Sequence, residues 1–349
     1  MLIQENVSLH EYNTFRVAAR ARFLVTLETL EDISCFLTDV RFHDLPRLIL
    51  GGGSNILLRD DFTGVVLLVA LKGIELLGES ETHRFLAVAA GENWHGLVRY
   101  TVEQGWAGLE NLSLIPGSVG AAPVQNIGAY GEEFAEVCAA VDVIDMTTGE
   151  TGIITAEDCR FAYRDSRFKQ APGRYLITSV LLRLPKRFVP KLDYPGVREA
   201  LADAEITPRA VSDAICAVRS SKLPGLEADQ PGSAGSFFQN PVIDADHAAK
   251  LRELHPNMPA WDMPDARVKL SAAWLIEECG WKGRRVGDAG VYEKHALVLV
   301  NHAQASGAEL WALAAEIMQS VQASFGVSLQ PEPVVLPLPS SVCASNGAR

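Results

Sequence analysis

Short apolar runs broken by turn residues alternate along this chain with stretches of helical periodicity, without a regular strand–helix–strand order. Residues 21–27 alternate apolar and polar and predict a strand, and residues 28–40 predict a helix. Leu48-Ile49-Leu50 is an apolar strand that stops at Gly51-Gly52-Gly53-Ser54-Asn55. Residues 56–58, 65–70 and 85–89 predict further short strands, and 94–104 has helical spacing. Strands are expected at 137–146 and 175–184, and a helix over 207–220. Beyond a glycine- and proline-rich segment at 222–241, residues 245–254 and 272–279 predict helices, 296–301 a strand, 309–325 a long amphipathic helix and 327–336 a strand. Residues 1–20 read as an unstructured lead ending in Asn13-Thr14-Phe15, and the small polar tail 337–349 as disordered. This mixture implies an α+β fold.

Composition narrows the class. A chain of 349 residues with 48% hydrophobic content can bury more than one core. The formal net charge of −12 gives no long-range attraction to nucleic acid or to an anionic membrane. An anionic ligand would therefore need cations gathered locally. Cys35, Cys138, Cys159, Cys216, Cys279 and Cys343 are scattered singly, so neither a zinc site nor a disulfide framework is expected. No apolar run reaches the roughly 18 residues of a membrane span, and the first residues lack a basic-then-apolar leader pattern. A cytoplasmic protein is expected.

Two segments have little side-chain bulk. The triple glycine at Gly51 to Gly53 allows positive φ and close approach of backbone N–H groups to an anion. It lacks the spacing of a dinucleotide fingerprint and of a P-loop. On its own it fits an ordinary tight turn better than a ligand loop. Residues 115–131 form a second such surface, from Ile115-Pro116-Gly117 through Gly120 and Val124 to Gly128-Ala129-Tyr130-Gly131. Two such loops in one domain suit an extended dinucleotide better than chance turns do.

At this point the motifs match a known family. Asn13-Thr14-Phe15, Gly51-Gly52-Gly53-Ser54-Asn55, Gly91-Glu92-Asn93-Trp94, Gly108-Leu109-Glu110-Asn111-Leu112, Gln125-Asn126-Ile127-Gly128-Ala129-Tyr130-Gly131, Tyr163-Arg164-Asp165-Ser166, Lys222-Leu223-Pro224, Gly235-Ser236-Phe237-Phe238, Asn240-Pro241, Lys294-His295-Ala296-Leu297-Val298 and Pro331-Glu332-Pro333 occur in this order. Together they resemble the UDP-N-acetylenolpyruvoylglucosamine reductases, almost end to end. The segment around Tyr194 resembles the form of that family with an extra tyrosine-bearing loop.

The resemblance implies a two-part FAD-binding module of the vanillyl-alcohol-oxidase type, at residues 1–70 and 71–220, and an α+β substrate-binding domain at 221–336 whose last strand returns to the active site. It implies non-covalent FAD, NADPH as co-substrate, and reduction of UDP-N-acetylglucosamine enolpyruvate to UDP-N-acetylmuramate in peptidoglycan precursor synthesis, by a cytoplasmic monomer that needs no metal. In the implied site Ser236 is the acid that protonates the carbanionic carbon, Arg164 clamps the substrate carboxylate, and Glu332 shares a proton or aligns the acid. Tyr130, Tyr163, Tyr194, Lys222, Asn240, Lys269, Lys282 and His295 would hold substrate. Gly51, Gly52, Gly53, Ser54, Asn55, Ile115, Gly117, Gly120, Val124, Gly128 and Arg219 would hold the cofactor.

Taken one at a time these residues have plainer explanations. A serine after glycine caps turns, Arg164 can pair with Asp165, and single lysines are commonly solvated. Gln239 stands where relatives carry a lysine, the loop 225–232 departs from the family pattern, and position 295 varies between His and Gln. Two other readings remain: an alcohol oxidase of the same flavin class, which leaves the lysines and Ser236 unexplained, and a nucleotide-sugar binding protein without flavin, which has no need of Ser236 and Glu332.

Overall fold

The computed structural model describes residues 1–227 and 229–337. The chain folds as two compact units. The first comprises Met1–Val7, Ala21–Gly53 and Thr63–Ser221, and the second Ser8–Arg20, Ser54–Phe62 and the chain from Lys222 onward.

The first unit is built on two sheets. One has the strand order Leu2–Ser8, Arg20–Leu27, Phe62–Val69, Arg47–Leu50. Its last two strands run parallel, with Leu48 opposite Val66 and Leu50 opposite Leu68. The helix Leu30–Thr38 starts at Thr29, whose hydroxyl accepts from the N–H of Asp32 while the Asp32 carboxylate accepts from the Thr29 N–H. It buries Ile33 and Phe36. The second sheet is antiparallel throughout, in the order Thr151–Thr155, Cys138–Asp145, Tyr175–Pro185, His83–Ala89, Ile74–Glu79. The helix Trp94–Glu103 is capped by Asn93 and buries Trp94, Leu97, Val98 and Val102. Trp94 is fully buried and its indole N–H donates to the Leu112 carbonyl at 3.0 Å, so that burial leaves no orphan donor. A smaller core of Leu192, Val197, Leu201, Val211, Ala214 and Ile215 lies under the helix Pro208–Lys222.

In the second unit the strands Gly232–Ser236, Val298–Asn301, Ala289–Val291 and Arg285–Val286 form one sheet in that order. The helix Gly307–Phe325 buries Leu310, Leu313, Ile317, Val321 and Phe325 and ends at Gly326 with φ 67°. A three-stranded sheet has Arg267–Leu270 between Val242–Asp244 and Ala260–Asp262. Val334–Leu336 pairs in parallel with Ile56–Leu58. The Asn13-Thr14-Phe15 motif is structural: the Asn13 amide donates to the carbonyls of Leu9 and Val17, and the Asn301 amide donates to the Phe15 carbonyl.

The fold is α+β, as the pattern predicts, with differences in detail. Residues 1–20 are not an unstructured lead, because Leu2–Ser8 forms a sheet strand. Strands Ile74–Glu79, Thr151–Thr155, Val242–Asp244, Ala260–Asp262, Arg267–Leu270, Arg285–Val286 and Ala289–Val291 are additional. Leu2–Ser8, Ile74–Glu79 and Thr151–Thr155 are edge strands and mostly exposed, so they carry no apolar alternation to betray them; the other five are only two to four residues long. Only Val334–Leu336 of the expected 327–336 strand is extended in a sheet. The expected disordered tail lies outside the described residues apart from Pro337. Among the described residues no helix is long and apolar enough to cross a membrane. No cluster of three or more His, Cys, Asp or Glu there could hold a metal ion. Cys35, Cys138, Cys159, Cys216 and Cys279 are free thiols.

Candidate active site

In the first unit the triple glycine and residues 117–120 come together backbone to backbone. A Cβ on Gly52 would stand 2.8 Å from the Gly117 Cα, one on Gly51 2.2 Å from the Ser118 hydroxyl, and one on Gly120 2.5 Å from the Ala90 Cβ. Gly53 and Gly117 have φ of 61° and 121°, conformations that suit glycine. The second loop is pinned from behind. Val119 and Gly120 donate to the carbonyls of Glu92 and Ala90, both at 2.8 Å, and Trp94 N–H donates to the Gly117 carbonyl at 3.0 Å. Ile115 and Val124 pack against the main core. The result is a cradle free of side-chain bulk, which fits a cofactor whose phosphates accept from backbone N–H groups. Ser54 and Asn55 belong to the second unit, where the Asn55 carbonyl accepts from Val334 N–H at 3.0 Å.

Arg219, on the helix Pro208–Lys222, sits under this unit's tyrosines. Its Nε is buried without a hydrogen-bond partner, and no carboxylate among the described residues pairs with it. Burial lowers its pKa, against the nearby Tyr130, Cys216 and Tyr194. Burial in turn raises the pKa of the Tyr130 phenol, which the Arg219 charge opposes. A buried guanidinium with an unused donor is compensated by an anion. The Tyr130 and Tyr194 rings meet edge-on, with centroids 4.7 Å apart at 62°.

Arg164 occupies a tight turn in which Ala162 and Asp165 exchange backbone hydrogen bonds of 3.0 and 3.1 Å. Its own φ is 54°, in the left-handed region. Its guanidinium donates to the Gly128 carbonyl at 2.9 Å and lies over the Tyr163 ring, 5.2 Å from the centroid. Lys169 donates to the Arg164 carbonyl at 2.8 Å, and the buried Ser166 hydroxyl donates to the Val124 carbonyl at 2.6 Å. The turn is thus tied to the glycine-rich segment at both Val124 and Gly128.

The backbone segments that carry Ser236 and Glu332 meet within the second unit. Ser236 ends the strand Gly232–Ser236 opposite Val298, after a register break that includes Gly235 at φ 69°. It therefore closes a bulged strand, where the sequence suggested a tight turn. Phe237 and Phe238 behind it are 0% and 1% exposed, with ring centroids 5.0 Å apart. Phe237 N–H donates to the Leu297 carbonyl at 2.7 Å, and the Phe237 carbonyl accepts from Glu332 N–H at 2.8 Å. Gln239 N–H donates to the Gln330 carbonyl at 3.0 Å.

The expected substrate contacts of this unit divide into two kinds. His295 lies in the field of Lys222 and Lys282; burial, then these two charges, lowers its pKa. Its Nδ1 takes the N–H of Leu297 at 3.2 Å, which fixes a neutral acceptor there. Lys282 also reaches Glu277 at 2.9 Å, and Lys269 stands 5.7 Å over the Trp261 ring. Asn240 has a structural task, its Oδ1 accepting from Ala272 N–H at 3.0 Å.

Sequence reasoning overlooked the polar residues that hold these groups. Asn126, fully buried, donates to Glu133 and the Ala162 carbonyl and accepts from Ala135 N–H. Asn111 and Lys191 tie the Tyr130 and Tyr194 segments. The small-residue run was the available signal for Asn126 and the Gly108-Leu109-Glu110-Asn111-Leu112 motif for Asn111; nothing marked Lys191.

Comparison with known proteins accords with this geometry. The model of the C-terminal domain of UDP-N-acetylenolpyruvoylglucosamine reductase matches residues 227–336, and that of an FAD binding domain matches residues 21–154. The UDP-N-acetylenolpyruvoylglucosamine reductase of Chromobacterium violaceum is 48% identical over 340 residues, covering 95% of this chain and 98% of that protein. That of Pseudomonas putida is 45% identical over 333 residues, with 95% and 98% covered. The crystal structure of the reductase from Thermus caldophilus is 27% identical, with a TM-score of 0.68 over 96% of this chain and 100% of that one.

Proposed function

The chain belongs to the UDP-N-acetylenolpyruvoylglucosamine reductase family, and we propose that it reduces UDP-N-acetylglucosamine enolpyruvate to UDP-N-acetylmuramate with electrons from NADPH. It is an FAD-dependent oxidoreductase of peptidoglycan precursor synthesis. FAD, when bound, passes the two electrons from NADPH to the carbon–carbon double bond. The loops at Gly51 to Gly53 and at Ile115 to Gly128 hold it through backbone groups, with Arg219 as the buried positive charge. We assign residues 1–70 and 71–220 to FAD binding and 221–336 to the substrate.

Reduction of the double bond adds a hydride, two electrons with one proton, to the terminal carbon and a second proton to the carbon next to the carboxylate. Ser236 gives that proton from its hydroxyl. A serine is a weak acid, so the charge it quenches must be high in energy and its surroundings dry. The buried Phe237 and Phe238 supply the dry backing. Arg164 binds the substrate carboxylate and spreads the charge that develops there. Glu332, joined to the Ser236 strand through Phe237, aligns or returns the proton. Lys222, Lys282, Lys269 and His295 take the nucleotide diphosphate and sugar, with Tyr130, Tyr163, Tyr194 and Asn240.

The observation that carries this reading is the direct link between the Ser236 and Glu332 segments, since neither an oxidase nor a bare nucleotide-sugar binder requires it. The test is to mix the purified protein with FAD, NADPH and UDP-N-acetylglucosamine enolpyruvate and follow NADPH absorbance. Flavin absorbance with substrate-dependent NADPH loss is expected. A protein that binds no flavin, or that oxidises NADPH at the same rate without the enolpyruvyl substrate, overturns the proposal.

A further inference from the structure

Leu114 is the last residue before the second bulk-free loop, and its backbone is left-handed at φ 58°. A residue with a Cβ rarely adopts that conformation, and it persists only where its surroundings fix it. Here the surroundings are one short segment, the start of the helix Trp94–Glu103. The Trp94 indole donates to the Leu112 carbonyl at 3.0 Å, and the Trp94 N–H donates to the Gly117 carbonyl at 3.0 Å. Between them the Leu114 N–H donates to the His95 Nδ1 at 2.9 Å. The two tryptophan bonds hold at any pH. The histidine bond exists only while Nδ1 carries no proton.

The setting of His95 keeps it neutral. It lies in the first turn of its helix, where the helix dipole opposes a positive charge. Burial, then the charges of Arg99 and Arg219, lowers its pKa. Arg99 stands one turn further along the same helix and pairs with Asp213 at 2.6 Å and Glu103 at 3.8 Å. Arg219 acts from the helix Pro208–Lys222, with Tyr130 and Cys216 near its guanidinium. On the loop side, the Glu110 carboxylate is turned to the Gly108 N–H at 2.7 Å, and the Ser113 hydroxyl meets that of Ser212 at 2.8 Å. Among the described residues no carboxylate pairs with His95 to hold a proton on it. A protonated Nδ1 would set one donor against another at Leu114.

We propose that His95 is a positioning residue for FAD, its neutral imidazole fixing Leu114 and with it the entry to the Ile115–Gly120 loop in the shape that receives the cofactor. Protonation removes the acceptor, so FAD binding must first expel that proton. Affinity is complete above pH 6.5 and falls as pH drops through the lowered value. The proposal rests on the reading that this loop holds FAD.

The experiment takes the full FAD-loaded chain as wild type, His95→Asn, His95→Leu and Leu114→Gly, with His95→Leu also made in the Leu114→Gly background. FAD dissociation constants are read from the flavin fluorescence released on dilution, between pH 5 and 8. His95→Leu is expected to weaken FAD roughly tenfold at pH 8, the scale of one N–H left without its acceptor. His95→Asn, whose Oδ1 stands in for Nδ1, recovers most of that affinity. Wild type loses affinity towards pH 5, and His95→Asn, which cannot titrate, loses less. Glycine at 114 takes positive φ without strain, so His95→Leu costs less in that background than in wild type. Hydrogen exchange of residues 112–120 in the full chain stripped of FAD quickens in His95→Leu. Wild-type FAD affinity in His95→Leu, no recovery in His95→Asn, or one pH slope shared by wild type and His95→Asn overturns the inference. Quickened exchange with FAD affinity intact shows that the loop does not carry the cofactor, and the reading beneath the inference falls with it. Unchanged exchange with unchanged affinity leaves that reading standing and removes only the role of His95. If His95→Leu does not fold, the pH comparison of wild type with His95→Asn decides alone.

Discussion

The N–H of Glu332 donates to the carbonyl of Phe237 at 2.8 Å, so the Pro331-Glu332-Pro333 segment lies directly on the strand end that bears Ser236. Both neighbours of Glu332 are prolines, which hold the backbone near extended values and leave Glu332 N–H as the one donor of the three. The carboxyl is thereby carried on a stiff element.

Ser236→Ala separates the two half-reactions. Flavin reduction by NADPH is expected to proceed at the wild-type rate, while reoxidation by the enolpyruvyl substrate slows by about 10²–10⁴-fold, the usual scale for removing a general acid. Stopped-flow flavin absorbance measures both. Equal loss in the two halves would remove Ser236 from the proton step.

Arg164→Lys keeps the charge but loses the planar fork and the stacking over Tyr163. Substrate-dependent flavin reoxidation should fall by about 10²-fold or more, as for loss of a charge-stabilising donor. FAD retention, followed by absorbance after gel filtration, should not change. Wild-type turnover in this variant excludes a carboxylate clamp at Arg164.

Arg219→Met removes a buried charge that has an unused Nε. The apo variant should melt at or above the wild-type temperature, because an uncompensated buried cation is costly. The gain in melting temperature on adding FAD or substrate should shrink, since a ligand stabilises in proportion to its affinity. A large loss of apo stability with the ligand-induced gain intact would show that Arg219 is a structural residue.

Gly52→Ala tests the cradle. The added methyl meets the Gly117 Cα at 2.8 Å, backbone that has no rotamer to yield. Overpacking of this kind costs about 1–3 kcal/mol, so urea denaturation should shift to lower midpoint and FAD should be lost on dilution. Normal FAD retention would mean that the two loops do not jointly carry the cofactor.

The pH dependence of stability should show Glu132. Burial raises its carboxyl from 4.5 to about 7, with the Glu136 charge adding and the Lys191 ammonium opposing. The folded chain therefore holds this proton more tightly than the unfolded chain. Its stabilising contribution is complete below pH 4.5 and is lost as pH rises through about 7. Thermal melts of wild type and Glu132→Gln between pH 5 and 8 check this. The variant should gain relative to wild type as pH rises, and parallel melting curves across that range would contradict the assignment.

Much of the local structure was legible. The helices expected over 28–40, 94–104 and 309–325 form as Leu30–Thr38, Trp94–Glu103 and Gly307–Phe325, each begun by a side-chain cap at Thr29, Asn93 and Ser306. The stop after Leu50 and the small-residue run from 115 predict loops, and loops form there. These signals are local, carried by side chains and N–H groups three or four residues apart. Leu2–Ser8, Ile74–Glu79 and Thr151–Thr155 escaped notice because each sits at a sheet edge, where pairing holds a strand that buries little.

By itself the sequence determined the order of motifs, the main helices, the two bulk-free loops and the residue types that chemistry requires. Only the tertiary structure decided that Arg219 is buried with a donor unused, that Glu332 meets the Ser236 strand, that Asn240 caps Ala272, and that Lys191 lies between Glu132 and Glu136. The reason is that charge, burial and hydrogen-bond supply at a site are set by segments far apart in the chain. At Ser236 the sequence supplied a glycine and two phenylalanines; packing made the glycine a bulge and the phenylalanines a dry wall.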